Sequence, residues 1–174
     1  WQAAGMGTVI GRILGALDPR GYKLHTFGKP GEEALLRPPL WQYWMALPPR
    51  GSFAVFDGSW YGQYGRPGRG SLAAWAERTQ AFERALTDDG MVLLKFWFHI
   101  SKDEQAKRLR KLDEHPALSW KVTKNDWRVH DRYAKELKTI GEVLAATNTA
   151  NAPWTLVPAH DLRYATVCVA ETVV

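Results

Sequence analysis

Two glycines near the start of the chain, Gly5 and Gly7, stand directly before an amphipathic helical pattern in the stretch WQAAGMG. A glycine turn that leads into a helix presents backbone N–H groups and the positive end of the helix dipole to an anion. A phosphate-binding loop of this type also carries a lysine, which neutralises charge on the transferring group. Met6 occupies that position here. The pattern predicts a phosphate site at Gly5, Gly7 and Thr8 that lacks its cation, and a purely structural turn is the alternative.

A second candidate is Asp57, the carboxylate that ends the apolar run SFAVFD. A carboxylate at the end of a buried strand is suited to hold Mg²⁺ beside a bound phosphate. Asp57 is therefore predicted as the catalytic and metal-binding residue. No Cys/His cluster has zinc spacing and no Ser-His-Asp set suggests itself, so neither type of site competes with this interpretation.

The composition favours one domain, because 174 residues that are 45% hydrophobic and 12% aromatic can bury one substantial core. The net charge of +5 favours anionic partners, but no basic run is dense enough to indicate nucleic-acid binding. The sequence has no apolar run long enough to span a bilayer and no signal-peptide pattern. With Cys168 as its one cysteine, we expect a cytoplasmic protein without membrane or nucleic-acid partners.

Apolar periodicity and turn signals predict alternating strands and helices. The predicted strands cover residues 22–27, 52–57, 91–100 and 154–158. The predicted helices cover residues 9–17, 40–47, 72–87, 102–113, 123–147 and 162–173, with loops at 30–39 and 58–70. Ser101 and Glu104 are predicted to form a capping box. Six tryptophans are predicted to pack in the interior: Trp41, Trp44, Trp60, Trp97, Trp120 and Trp154. The near-continuous apolar strand at 91–100 is typical of a parallel sheet covered on both faces, which predicts an α/β fold.

Six stretches of the chain resemble, in order and spacing, motifs of the polyphosphate kinase 2 family: WQAAGMG, LDPRGYKLH, VFDGSWYG, FERALTDDGMVLLKFWFHIS, SWKVT and NAPWTLVPAHDLRYA. The resemblance implies a single domain over residues 1–174 with the fold of a P-loop kinase. That fold is a three-layer α/β/α parallel sheet with a short helical lid, here at residues 58–86, and its first strand would be missing in front of Trp1. The implied activity is phosphoryl transfer between inorganic polyphosphate and nucleoside mono- or diphosphates, with Mg²⁺ as cofactor.

Four residues of the first two motifs stand where the resemblance implies charged side chains. Gln2 and Met6 replace an aspartate and a lysine of the first motif, and Gly58 and Gln63 replace two arginines of the second. All four differences remove charge from positions that handle phosphate or metal. Because phosphoryl transfer depends on positioning and charge stabilisation, we expect severely impaired activity.

Other basic residues are candidates to replace the lost charge. Arg66 lies in the glycine-rich segment before the lid helix, and Lys121 and Arg128 lie in surroundings that match the family and suit an anion channel. Solvated surface roles are the alternative for Lys121 and Arg128. The same alternative applies to Arg12 and Arg20, which lie near the glycine turn in sequence.

Three functions follow from these residues and stay open. The first is a polyphosphate-dependent nucleotide kinase with residual activity. The second is a non-catalytic domain that binds polyphosphate or nucleotide, or that packs against a competent copy. The third is a structural oligomerisation module without a ligand. The expected partners are polyphosphate and nucleotide, and the chain is expected to form a homo-oligomer or to pair with a second domain of the family.

Overall fold

The structure is a computed structural model that describes residues 2–28, 31–64 and 70–174. The helices in these ranges are α1 Met6–Leu14, α2 Glu32–Leu36, α3 Trp41–Trp44, α4 Leu72–Asp88, α5 Lys102–Asp113, α6 Lys124–Asp131, α7 Tyr133–Thr147 and α8 Leu162–Val173. The strands are β1 Tyr22–Thr26, β2 Phe53–Asp57, β3 Lys95–His99 and β4 Trp154–Pro158, and 3₁₀ turns cover Trp60–Gln63 and Ser119–Lys121. None of the described helices is long and apolar enough to cross a membrane.

The strands pair in parallel, which confirms the predicted α/β class. β1 lies beside β2 with Thr26 opposite Asp57, and β3 lies beside β4 with His99 opposite Pro158. Within the described residues these ladders form two sheets of two strands each. Ligands of open parallel sheets bind beyond the carboxyl ends of the strands, and Asp57 stands at such an end.

The first core packs helices α1 and α8 against the β3–β4 sheet. Its buried residues come from these elements and from the segments beside them: Ala4, Val9, Phe98, Ile100, Val157, Ala159, Ala165 and Val169. Full burial of a large aliphatic or aromatic side chain contributes about 1.5–3 kcal/mol. The first core therefore fixes α1, and the glycine turn in front of it, relative to the sheet.

The second core is aromatic and lies beside β2. Trp60 is 6% exposed, and its ring centroid lies 5.7 Å from that of Tyr43 and 5.0 Å from that of Phe82. The packing prediction holds only in part for Trp44, which is 48% exposed although its ring centroid lies 5.0 Å from that of Phe82. It is wrong for Trp120, which is 75% exposed. That residue lies on a 3₁₀ turn whose contacts are local, since its indole N–H donates to the carbonyl of Ala117 at 3.0 Å.

The strand predicted at 91–100 is shorter, Lys95–His99, and the first residue of the predicted range, Met91, belongs to the end of α4. Gly90 has φ 86. The N–H of Met91 donates to the carbonyl of Leu86 at 3.1 Å, as in a Schellman motif. A hydrogen bond back to the helix thus takes the place of strand pairing at this point.

The helix predicted at 123–147 is two helices, because Arg132, between Asp131 and Tyr133, leaves the helical conformation with φ −96 and ψ 15. The buried Tyr133 hydroxyl donates to the carbonyl of Ile100 at 2.8 Å, which anchors the start of α7 to the end of β3. The predicted loop at 30–39 also contains helix α2.

The predicted capping box at the start of α5 forms only in part. Ser101 Oγ accepts a hydrogen bond from the N–H of Glu104 at 3.3 Å. The Glu104 carboxylate instead accepts from Arg108 Nε at 2.7 Å, because the partner one turn along the helix carries a full charge. A complete capping box is present at α6, between Thr123 and Asp126.

Candidate phosphate-binding site

The glycine loop, residues 2–7, ends in the first turn of α1. Gly5 is the N-cap residue with φ 87, and its carbonyl accepts a hydrogen bond from the N–H of Thr8 at 3.0 Å. No side chain caps α1, and its first turn holds no acidic residue. The N–H groups of Met6 and Gly7 have no partner within the helix, at the end where the helix dipole favours an anion.

Open space lies in front of this turn. Gly7 and Thr8 are exposed, and a Cβ built on Gly7 would meet no atom within 4 Å. A Cβ on Gly5 would instead collide with the side chain of Leu162. Packing and positive φ therefore require glycine at position 5, whereas the space at position 7 leaves room for a ligand.

The Met6 side chain is half-buried and packs against the first core. This thioether occupies the position where the resemblance implies a phosphate-binding lysine. Its apolar body contributes to the packing that holds α1 against the sheet. The residue therefore stabilises the loop without bringing charge to it.

Gln2 begins the loop and lines a cavity of about 210 Å³ beside β3. The other lining residues come from β3, α6 and α7: Trp97, Val129, Glu136 and Ile140. The Gln2 amide donates and accepts hydrogen bonds but carries no charge. It cannot replace the charge of a metal-associated aspartate.

Asp57 ends β2, and its backbone carbonyl accepts a hydrogen bond from the N–H of Phe27 at 2.9 Å. In the part of the chain that the structure describes, no three His, Cys, Asp or Glu side chains come together as metal ligands. The predicted positions Asp57 and Gln2 offer one carboxylate and one neutral amide. This donor set does not fit a Mg²⁺ site made by protein alone, and an ion would need phosphate oxygens or water as further ligands.

The backbone at Gly58 excludes a side chain. This residue has φ 79, and a Cβ built on it would lie 2.8 Å from the carbonyl oxygen of Phe27. The arginine that the resemblance implies at this position therefore does not fit the observed conformation. Gln63, the other replaced arginine position, ends the 3₁₀ turn that follows.

Two predicted phosphate-binding cations lie on the surface. Lys121 ends the second 3₁₀ turn with its Nζ 5.4 Å from the ring centroid of the exposed Trp120. Arg128 is exposed on α6. Arg66 lies outside the described residues.

Arg12 and Arg20 lie near the glycine loop in sequence, but their side chains bind protein groups outside the loop. Arg12 donates to the carbonyl of Leu162 at 3.0 Å. Arg20 pairs with Asp18 at 2.7 Å on an exposed turn, and its hydrogen bonds lower the pKa of that carboxyl. Both arginines are exposed and bound to protein groups, which favours their surface role over replacement of the lost charge.

A buried ion pair supports the segment after Asp57. Lys95 Nζ lies 2.8 Å from Glu83 Oε2, and both side chains are nearly inaccessible to water. The other carboxylate oxygen accepts hydrogen bonds from Trp60 Nε1, at 3.0 Å, and from the Tyr61 hydroxyl. Lys95 also donates to the Tyr61 hydroxyl oxygen at 2.9 Å.

The environment of this pair shifts two protonation equilibria. Burial lowers the pKa of Lys95, against the opposing effect of Glu83. Burial and the charge of Glu83 raise the pKa of Tyr61 well above its usual range, so its hydroxyl stays protonated. The ammonium also donates to the carbonyl of Thr147 at 2.8 Å and lies 5.0 Å from the ring centroid of Trp154. Buried contacts of Glu83 and Lys95 therefore fix the turn that follows Asp57.

Sequence patterns did not identify four residues whose side chains support the glycine loop or the turn after Asp57. Glu83 and Lys95 support the turn, and Gln105 and Arg108 donate hydrogen bonds to the loop. A signal exists for the first pair, since each interrupts an apolar pattern in the stretch FERALTDDGMVLLKFWFHIS. For the second pair there is none, because their partners in the glycine loop lie more than 100 residues away along the chain.

The family model of Polyphosphate kinase 2 (PPK2) matches residues 1–174. The chain is 37% identical over 178 residues to the polyphosphate:AMP phosphotransferase of Pseudomonas aeruginosa, and 30% identical over 180 residues to the ADP-polyphosphate phosphotransferase 3 of Rhizobium meliloti. A crystal structure of polyphosphate kinase 2 from Pseudomonas aeruginosa matches the fold with a TM-score of 0.92 at 36% identity. That of the enzyme from Arthrobacter aurescens gives 0.91 at 30% identity.

These matches cover almost all of this chain but only part of each relative. The two curated relatives align with 99% and 98% of the chain, which corresponds to 36% and 62% of their own lengths. The two crystal structures are covered to 38% and 62%. The chain thus spans less than two thirds of each of these four proteins.

The buried ion pair predicts a large stability difference between two cation-to-methionine variants. Lys95→Met leaves the Glu83 carboxylate buried without its counter-ion and should lower the free energy of unfolding by about 3–5 kcal/mol. Arg50→Met removes an exposed partner of Asp89 and should cost at most about 1 kcal/mol. Urea denaturation measures both values, and equal costs would contradict a supporting role for the buried pair.

Two glycines with matched backbones test the exclusion of side chains at position 58. Gly58→Ala and Gly51→Ala both place a Cβ at a φ near 80°, which costs about 1–2 kcal/mol. Only the Cβ at position 58 also meets the Phe27 carbonyl, since nothing lies within 4 Å at Gly51. Thermal unfolding should therefore show a clearly greater loss for Gly58→Ala. A loss no greater than that of Gly51→Ala would contradict the exclusion of a side chain at position 58.

Proposed function

Because the chain belongs to the polyphosphate kinase 2 family, we propose that it binds inorganic polyphosphate at the glycine loop and transfers phosphoryl groups with severely reduced efficiency. The proposal rests on a contrast between the loop backbone, which suits an anion, and the loop side chains, which carry no charge. The backbone of Gly5 and the first turn of α1 keep an anion-binding geometry. Met6, at the lysine position, is packed against the first core.

The expected loss of activity follows from the physics of phosphoryl transfer. The protein contributes chiefly positioning and stabilisation of charge on the transferring group. Removal of one preorganised electrostatic donor commonly costs about 10²–10³ in rate. Gln2, Met6 and Gly58 together remove several such groups, and effects of residues that act as a unit do not add. Substrate binding through backbone N–H groups is less sensitive to these changes, because those groups remain.

The substrate class rests on the relatives. Proteins similar to this chain are named phosphotransferases of polyphosphate with AMP, ADP or GDP. We propose a nucleoside mono- or diphosphate as the second ligand, with polyphosphate as the anion that the loop binds. Mg²⁺, which enzymes of this chemistry use to neutralise phosphate charge, would be held chiefly by phosphate oxygens, with Asp57 as the protein carboxylate.

A non-catalytic role is the second candidate function, and the contacts of Met6 favour it. A side chain that contributes to the core cannot be exchanged for a cation without a change in packing. In this role the domain would bind polyphosphate or nucleotide for a catalytically competent partner. Large apolar side chains exposed on and beside α2 and α3, namely Leu35, Leu36 and Met45, offer contact surface to a second copy or a second family domain.

The first test is a Mg²⁺-dependent assay of the purified chain with polyphosphate and each nucleoside mono- and diphosphate. Kinases commonly turn over at about 1–100 s⁻¹. We expect the chain to fall at least about 10³-fold below that range, since more than one electrostatic donor is missing. The Pseudomonas aeruginosa relative serves as the positive control, and circular dichroism shows that the chain is folded. Turnover within the usual range would contradict the proposed impairment.

The second test restores the charges of the first motif. Gln2→Asp combined with Met6→Lys should not restore activity, because the backbone at Gly58 still excludes the arginine of the second motif. The lysine introduced at position 6 would also replace a side chain that packs against the first core. The same assay, with the single variant Met6→Leu as a control for packing, measures the outcome. Full recovery in the double variant would show that the first motif holds the only defect.

A further inference from the structure

Both terminal nitrogens of the Arg108 guanidinium on α5 donate hydrogen bonds to backbone carbonyls. Its Nη1 donates to the carbonyl oxygens of Ala3 and Ala4, each at 3.2 Å. Its Nη2 donates to those of Ala159 and His160, each at 2.8 Å, in the segment between β4 and α8. This one side chain, 17% exposed, therefore joins α5, the glycine loop and the end of β4.

Gln105, one turn earlier on the same face of α5, extends this contact to the next carbonyl. Its Nε2 donates to the carbonyl of Gln2 at 3.3 Å, and its Oε1 lies 2.9 Å from Nδ1 of His130. The Gln105 side chain is fully buried. Three successive carbonyls of the loop, those of residues 2, 3 and 4, thus accept hydrogen bonds from α5.

These bonds determine where the amide groups of the loop point. In a planar trans peptide the C=O of one residue and the N–H of the next are directed oppositely, and the described residues contain no cis peptide. Because the carbonyls of Gln2, Ala3 and Ala4 are directed toward α5, the N–H groups of Ala3, Ala4 and Gly5 are directed away from it. Successive backbone N–H groups on one side of a loop can bind an anion, and here Ala3 and Gly5 are partly accessible whereas Ala4 is buried.

The conformation that achieves this is not one the loop adopts without support. Ala3 has φ 57, the one positive value among the described non-glycine residues. Such a conformation costs about 1–3 kcal/mol and persists only where surrounding contacts enforce it. Arg108 binds the carbonyls of Ala3 and of the residue after it, so it holds the peptide groups on the C-terminal side of the unfavourable dihedral.

We propose that Arg108, with Gln105, is the positioning residue that holds the glycine loop in its anion-binding conformation without touching the anion. This inference rests on the proposed function for the identity of the ligand. It explains how the loop keeps its shape without a lysine, since the cation that organises it lies on the carbonyl side. Arg108 acts through geometry, because a planar guanidinium can donate to four carbonyls at once and an ammonium cannot.

Three variants of the full chain separate geometry from charge. Arg108→Met removes the bonds and the charge, and Arg108→Lys keeps the charge but loses the fork of donors. Arg110→Met removes an exposed cation of the same helix and is the matched control. The probes are ¹⁵N relaxation of the amides of residues 3–7 without ligand, and calorimetric titration with tripolyphosphate.

We expect the loop amides to lose order in both Arg108 variants, with order parameters that fall from about 0.85 toward about 0.6 or below. If about one loop in ten then remains competent, the apparent Kd for tripolyphosphate rises about tenfold. Arg110→Met should leave both measurements close to wild type. Gln105→Met, which keeps the side-chain volume and loses one loop carbonyl, should give an intermediate effect and replaces Arg108→Met if that variant does not fold.

The outcomes test the positioning role of Arg108 and the identity of the ligand separately. Wild-type order and affinity in Arg108→Lys would overturn the positioning role, because charge alone would then suffice. A loop that stays ordered in Arg108→Met, or in Gln105→Met if that variant is the one that folds, would overturn it as well. Failure of the wild-type chain to bind tripolyphosphate would overturn the proposed ligand, while the relaxation data without ligand would still decide the role of Arg108.

Discussion

The buried pair of Glu83 and Lys95 is the interaction on which the second motif depends. A buried charge is strongly destabilising unless it is paired and hydrogen-bonded, so these two side chains must stay together. Glu83 lies on α4 and Lys95 opens β3, and the carboxylate also accepts hydrogen bonds from Trp60 and Tyr61. The need to keep this buried pair together therefore holds the helix, the strand and the turn after Asp57 in one arrangement.

The positions where the family resemblance implies phosphate-handling charges lie outside this buried pair. The charges that remain in fixed positions, those of Glu83, Lys95 and Arg108, bind other protein groups. The positions that the family resemblance assigns to ligand carry an amide, a thioether and a hydrogen in Gln2, Met6 and Gly58. The cations that hold the scaffold are thus distinct from those that the resemblance assigns to ligand, and the replacements at positions 6 and 58 affect only the latter. The proposed weak catalyst or binding domain follows from that separation.

Much of the fold could be predicted from the sequence because its signals are local. The glycine at position 5 indicates a positive φ, and the apolar run that ends at Asp57 indicates a buried strand with a carboxylate at its end. Local signals failed where a distant contact decides the outcome. The break before Tyr133 accompanies its bond to Ile100, which lies 33 residues away along the chain.

The candidate site was less predictable for the same reason. The residue types at positions 2, 6 and 58 are read directly from the sequence. The packing of Met6 against the first core and the carbonyl beside Gly58 are not. Arg108 reads as one of several cations in the charged stretch KDEQAKRLRKLD. Its distinction from the exposed Arg110 arises only when the glycine loop and the end of β4 are brought to the same face of α5.

The most direct test of the central claim is an amide NMR titration of the chain with tripolyphosphate. If the backbone of the loop still binds phosphate, the resonances of Met6 and Gly7 shift first and saturate. Those of the cationic outer face of α5, at Lys107, Arg110 and Lys111, remain in place. Shifts confined to that outer face, or no saturable shift in the loop, would contradict a retained phosphate site and leave the glycine loop with a structural role alone.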